Sequence, residues 1–238
     1  MIDALPYIGI GTPQANPTVE REASSLLAGH AAMQVTRLTS TDTDPSNRLR
    51  EYFDQIPTAI ASFDTLPLRN FAFACTGSSY LLPAGKEDSL VQAMSADCGV
   101  TVITATQAIF RELQLCDCTE IALLTPYPSE LADAAVAYWE DRGIRVAHTA
   151  RMDIGPDTRK IYELAPTDVQ DTLSALQREW PGLILISGTG MASLELLQSS
   201  NRIISSNLCL FSESLRNAGV LSGSTQARSL IRGNTQSA

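Results

Sequence analysis

The sequence predicts an α/β protein of two pseudosymmetric halves, each built on a parallel sheet, facing one another across a cleft. Three observations carry this. Short apolar runs alternate with helical segments of ten or more residues, the pattern of parallel strands covered by helices on both faces. The chain also matches itself at a shift of 113 positions (Thr12 onto Thr125, Cys75 onto Gly188). Ile8-Gly9-Ile10-Gly11-Thr12-Pro13 falls on Ile121-Ala122-Leu123-Leu124-Thr125-Pro126, and Cys75-Thr76-Gly77 falls on Gly188-Thr189-Gly190. Thr12 to Cys75 and Thr125 to Gly188 both span 63 positions (75 − 12 and 188 − 125), so no gap is needed. Lastly, Phe71 and Phe73 fall on Ile184 and Ile186, so each Thr-Gly pair follows an apolar strand. A duplication explains the match. It divides the chain into a first half, 1–115, completed by 206–238, and a second half, 116–205.

Taken in order, Tyr7–Gly11 reads as the first strand, followed by the turn Thr12–Asn16 and a helix over Pro17–Leu27. Pro17 suits the first helical position, which makes Asn16 a natural N-cap as well as a candidate ligand residue. Met33–Leu38 is a strand and Thr39–Ser46 a loop. A helix begins near Asn47 and is interrupted at Pro57. The strand Phe71–Ala74 ends at Cys75, with a helix expected over Lys86–Ala96, a buried strand over Val100–Ile103 and a helix over Thr106–Leu115. In the second half, Glu120–Leu124 is a strand leading to the turn Thr125–Pro128. Helix Ser129–Arg142 carries Leu131, Ala135, Tyr138 and Trp139 on one face; helix Thr167–Trp180 carries Val169, Leu173, Leu176 and Trp180 likewise. Between them lie a strand at Arg145–Met152 and a loop at Gly155–Thr158. Leu183–Ile186 is the strand that delivers Gly188-Thr189-Gly190, with a helix starting over Met191–Ser199. Arg202–Ser205 is a short strand, Leu208–Ala218 a helix, and the Ser- and Gly-rich tail after Val220 reads as loosely ordered.

A chain of 238 residues, 44% hydrophobic and 18% charged, can bury two cores of ordinary size. Its net charge of −9 argues against nucleic acid and anionic membranes as partners, because a phosphate-tracking surface needs clustered Lys and Arg. It also disfavours an acidic substrate at long range, so a bound carboxylate has to be held by local N–H and O–H donors. A charged-then-apolar leader is absent, as is any apolar run near the ~18 residues of a membrane span, which makes a cytoplasmic location the default. The five cysteines, Cys75, Cys98, Cys116, Cys118 and Cys209, are an odd number and do not suggest a disulfide framework. With His30 and His148 the sole histidines, Cys116-Asp117-Cys118 offers no standard zinc set, and no metal is expected.

In open α/β folds ligands bind beyond the carboxyl ends of the strands, where the Thr-Pro and Thr-Gly turns lie. The candidate site is therefore Cys75 with Asn16, Thr76, Gly77, Ser78, Tyr127, Gly188, Thr189 and Gly190. This set holds one nucleophile or acid, several neutral donors and no lysine, arginine or histidine. A thiol where a strand feeds a helix sits near unpaired N–H groups, which favour the thiolate and predict a pKa below the roughly 8.5 of a free cysteine. The competing interpretation is a small buried hydrophobe. Gly9-Ile10-Gly11 lacks the third glycine of a nucleotide fingerprint, and no nucleotide cofactor is expected. What remains is a thiol beside a cradle for a carboxylate, able to add to a polarised double bond or to protonate an enediolate.

The Thr-Pro-x-x-Asn turn, the strand ending Ala74-Cys75, the run Leu124–Tyr127 and the turn Ser187–Met191 resemble the aspartate/glutamate racemase superfamily, in the branch of maleate cis-trans isomerase and arylmalonate decarboxylase. The resemblance spans nearly the whole chain. It implies two Rossmann-like domains, a cofactor-free cysteine mechanism in the interdomain cleft, and a small carboxylate substrate, and it leaves association of copies open. By motif, Asn16 and Tyr127 match carboxylate-binding residues, Cys75 the nucleophile, and Thr76 a donor of the decarboxylase's dioxyanion hole. Two-cysteine members carry a second thiol where this chain has Gly188, so racemisation by facing thiols is not expected. The leading expectation is isomerisation by addition of Cys75. The alternative is decarboxylation with Cys75 as proton donor and Gly188 leaving room for a bulky substituent. A third is a carboxylate-binding protein without catalysis.

Overall fold

The computed structural model describes residues 5–234, the last three by backbone alone. The extreme ends of the expected first half, 1–4 and 235–238, lie outside the described residues. The chain opens with β1 (Tyr7–Pro13), α1 (Thr18–Leu26), β2 (Ala32–Leu38), α2 (Pro45–Asp54), α3 (Ile56–Ala61), β3 (Leu68–Phe73), α4 (Thr76–Tyr80), α5 (Glu87–Cys98), β4 (Thr101–Thr104) and α6 (Ala105–Leu115). It continues through β5 (Glu120–Thr125), α7 (Ser129–Asp141), β6 (Arg145–Arg151), a 3-10 turn (Thr158–Glu163), α8 (Pro166–Glu179), β7 (Leu183–Ile186), α9 (Leu194–Leu197), β8 (Ile203–Ser205), α10 (Ser206–Asn217) and α11 (Ser229–Asn234).

These strands form two parallel four-stranded sheets with matching orders, β2-β1-β3-β4 and β6-β5-β7-β8. The internal repeat is visible in the register. Ile8 pairs with Asn70 and Gly11 with Phe73 in the first sheet; Ile121 pairs with Leu183 and Leu124 with Ile186 in the second, each at the shift of 113. A bulge between Ile121 and Ala122 displaces β6 by one residue against β5, the main local departure from the repeat in the central strands. The central strands bury both faces, which is why they read as near-continuous apolar runs. Gly9 and Gly11 lie under the Phe71 ring, which leaves no space for a Cβ at Gly11.

Local chemistry sets the helix ends. Asp44 accepts from the Asn47 N–H and, with Pro45 in the first turn, starts α2 two residues before the expected Asn47. Thr104 and Gln107 form a capping box at α6, and Gly99 in a left-handed conformation ends α5. α10 packs against α1, α6, β3 and β4. All five cysteines are free, and among the described residues no helix is long and apolar enough to cross a membrane.

Four segments depart from the sequence expectations. Thr76-Gly77-Ser78-Ser79-Tyr80 is helical although it has no apolar period, because all five residues are buried and tertiary packing decides. The expected helix over Met191–Ser199 contracts to Leu194–Leu197. The stretch after the Gly155–Thr158 loop winds into a 3-10 turn, started by Asp157 accepting from the Arg159 N–H. Over its described residues the tail is not loose: Ala227 and Leu230 are buried, the Ala227 N–H donates to Glu112 at 2.8 Å, and Arg216 donates to the Thr225 carbonyl at 2.6 Å. A buried Glu112–Arg216 pair anchors it, a device that periodicity cannot reveal.

Candidate active site

The two strand ends that the repeat equates are built alike. Ala74 N–H donates to the Gly11 carbonyl and Ser187 N–H to the Leu124 carbonyl, both at 2.8 Å. Beyond these bonds the chain leaves each sheet at Cys75 and at Gly188. The Thr189 hydroxyl donates to the Ala74 carbonyl at 2.8 Å, the amide of Asn16 donates to the Thr189 hydroxyl at 3.4 Å, and the Thr76 and Tyr127 hydroxyls share a 2.6 Å hydrogen bond. Residues from both halves thus meet around Cys75. Asn16 does two jobs at once, since its carbonyl oxygen also accepts from the N–H groups of Thr18 and Val19 and so starts α1.

Between them lies a cavity of about 40 Å³. Seven of the nine expected site residues line it: Asn16, Cys75, Thr76, Gly77, Tyr127, Thr189 and Gly190. Ser78 stands behind the sulfur rather than in the cavity, its hydroxyl within hydrogen-bond reach of Cys75 Sγ at 3.1 Å and of the Leu49 carbonyl at 2.6 Å.

Gly188 lies outside the cavity lining. A Cβ there would sit 3.0 Å from Ile161 Cδ1 and 3.4 Å from Pro126 Cδ, so the room expected at the missing second thiol is filled by the 3-10 turn. The Gly188 backbone has φ 137°, a conformation that a side chain strains, and its N–H donates to the Ser206 hydroxyl at 3.0 Å.

The expected depression of the Cys75 pKa is also overturned. Burial pushes the thiol up, and the opposing hydrogen bonds from the Ser78 hydroxyl and the N–H groups of Ser78 and Gly77 do not compensate. Only 5% of Cys75 is exposed, and five-residue α4 is too short to offset that desolvation. Burial likewise holds the Tyr127 hydroxyl well above its ordinary range and raises Tyr52 to about 12. At neutral pH the Cys75 thiol and the Tyr127 and Tyr52 hydroxyls are therefore protonated and neutral.

Among the wall residues that sequence reasoning missed are Arg48, Tyr52, Arg159, Ile161 and Tyr162. The inventory without arginine is therefore wrong, since Arg48 and Arg159 both border the cavity. A signal for Arg48 exists in the sequence. It shares the buried face of α2 with Leu49, Tyr52 and Phe53, an unusual place for a cation. Ile161 and Tyr162 carry no such mark, because the 3-10 turn has no detectable period.

A buried carboxylate braces the Thr189 turn. Glu22 in α1 accepts from Ser193 N–H at 2.5 Å, Leu194 N–H at 3.1 Å, the Ser193 hydroxyl at 3.0 Å and Asn207 Nδ2 at 2.7 Å. Asn207 Nδ2 also donates to the Thr189 carbonyl at 3.0 Å. Burial raises the Glu22 pKa against these donors.

Comparison with known proteins agrees with this architecture. The sequence model of the family described as arylmalonate decarboxylase matches residues 8–229. A maleate isomerase of Nocardia farcinica is 22% identical over 208 residues, covering 82% of this chain and 81% of the relative. The crystal structure of a maleate isomerase variant from Pseudomonas putida with maleate superposes with a TM-score of 0.81 at 17% identity, over 93% of this chain and 97% of the other. A liganded double mutant of arylmalonate decarboxylase gives a TM-score of 0.77 at 18% identity, over 90% and 93%.

Proposed function

For a chain that belongs to the arylmalonate decarboxylase family, we propose a cofactor-independent enzyme that converts a small unsaturated dicarboxylate from cis to trans through Cys75. The observation that carries this is the single thiol lining a small cavity beside neutral donors that come from both halves, with Ile161 Cδ1 3.0 Å from where a Cβ at Gly188 would sit. The match to a maleate isomerase over four fifths of each chain supports the substrate class. The same reading divides the chain after residue 115 and returns 206–238 to the first half, supported by the packing of α10 on α1, α6, β3 and β4.

In this mechanism the Cys75 proton leaves to solvent and the thiolate adds to one alkene carbon. A C–S bond forms, and the displaced π pair moves onto the adjacent carboxylate as an enediolate. The Thr76 and Tyr127 hydroxyls and the Asn16 amide bind that developing charge, which is where fixed donors accelerate the step most. The central C–C bond is now single and rotates. Return of the electron pair expels the thiolate and leaves the trans alkene.

A second reading, decarboxylation, uses the same donors to hold the enediolate left after loss of carbon dioxide, and Cys75 delivers one proton to carbon. The family match favours it; the filled space at Gly188 restricts it to substrates with small substituents. Incubation with maleate and with an arylmalonate, followed by proton NMR for fumarate and for the monoacid, separates the two.

A further inference from the structure

Part of the cavity wall carries charge. α2 brings Arg48 and Tyr52 there one helical turn apart, and the 3-10 turn brings Thr158, Arg159 and Tyr162. The Arg48 side chain is only 4% exposed. Among the described residues its guanidinium makes two long hydrogen bonds, to the Asp42 carbonyl and the Thr158 hydroxyl, both at 3.3 Å. The nearest carboxylate, Asp157, stands 3.6 Å away and is held by Arg159 through contacts of 2.7–3.0 Å. Two arginines therefore share one carboxylate. This wall has one positive charge in excess, in a chain whose net charge is −9. Burying a guanidinium is costly, and a carboxylate at 3.6 Å that is shared with a second arginine compensates it only in part. Its planar fork suits a carboxylate.

We propose that Arg48 is a specificity-determining residue that holds the second carboxylate of a dianionic substrate, while the first lies in the cradle of Thr76, Tyr127 and Asn16. The assignment rests on the cleft being the substrate site proposed above, and it divides the labour. The neutral donors meet charge that grows during reaction. Arg48 meets charge that is constant throughout, so it contributes uniform binding and its loss raises KM with little change in kcat.

The test compares equilibrium binding of maleate with that of its monoanionic isostere (Z)-but-2-enoate. It uses calorimetry on chains carrying Cys75→Ser to suppress addition, with Arg48 intact, Arg48→Gln or Arg48→Lys. With Arg48 intact, maleate should bind roughly tenfold tighter or more than the monoanion. Arg48→Gln should weaken maleate alone and erase the preference, and Arg48→Lys should restore part of it. Equal weakening of both ligands, an unchanged preference, or no binding of either ligand overturns the assignment. Should the Arg48 variants fail to fold, the preference of the Arg48 chain decides, since its absence overturns the assignment and its presence upholds it. Because binding is read without turnover, the two claims fail separately. A preference lost in Arg48→Gln in a protein that forms no fumarate refutes isomerisation alone. Fumarate formation with a KM indifferent to Arg48→Gln refutes the anchor alone.

Discussion

The Ser78 hydroxyl lies 3.1 Å from the Cys75 sulfur and 2.6 Å from the Leu49 carbonyl. A hydroxyl has one proton, so it serves one acceptor at a time. While Cys75 is a thiol, the carbonyl takes that proton. Once the thiolate forms, rotation of the hydroxyl supplies a charge-assisted bond to sulfur.

Alkylation of Cys75 by iodoacetamide should accordingly rise with pH through a midpoint above the roughly 8.5 of a free cysteine, because burial favours the neutral thiol. Ser78→Ala should move that midpoint further up and slow alkylation at neutral pH by about tenfold or more, since a hydrogen bond to a charged group contributes about 1.5–3 kcal/mol. Peptide mass spectrometry over a pH series distinguishes Cys75 from the more exposed Cys98, which should be modified first at neutral pH.

Gly188→Cys does not simply restore a second thiol. The residue needs a φ of 137°, and its new Cβ would lie 3.0 Å from Ile161 Cδ1. The substitution should destabilise the protein by about 1–3 kcal/mol, visible as a lower calorimetric Tm, and should bring no gain in isomerisation. Adding Ile161→Ala removes the contact but not the backbone strain, so recovery of Tm should be partial at most.

Glu22 should give the protein a pH-dependent stability. Its folded pKa is raised, so the folded state keeps a proton that the unfolded chain releases. The contribution is full below the ~4.3 of an unfolded glutamate and is lost as pH rises through the higher folded value. Glu22→Gln cannot titrate and should show a flatter Tm across that window in differential scanning calorimetry. Glu22→Ala should cost about 3 kcal/mol, because the N–H groups of Ser193 and Leu194 and the amide of Asn207 lose their acceptor.

The part of the fold that the chain repeats is legible in its residues alone. Thr12, Cys75, Thr125 and Gly188 mark equivalent strand ends, and Ile8–Asn70 and Ile121–Leu183 are equivalent pairs. Period and turn chemistry report on strands buried on both faces, so β1, β3, β5 and β7 stand out. They report nothing on how non-repeating segments close a site. The 3-10 turn carrying Ile161 and Tyr162 has no period, and α4 is helical by burial alone. Arg48 escapes notice because a cation on a helix is usually solvated, whereas here the loop and the 3-10 turn cover it. The direction of the Cys75 pKa shift is hidden for a related reason. Position at a strand end is visible in sequence; complete desolvation is not.

The most direct test of Cys75 as the nucleophile of an isomerase is proton NMR of maleate incubated with the protein, beside Cys75→Ala and Cys75→Ser. The expected result is steady formation of fumarate by the unsubstituted chain and none by either variant, with both variants retaining the parent Tm within a few degrees. Fumarate formation that survives Cys75→Ala would contradict covalent addition by this thiol. Failure of the unsubstituted chain to form fumarate, while it releases carbon dioxide from an arylmalonate in a Cys75-dependent manner, would replace isomerisation with decarboxylation.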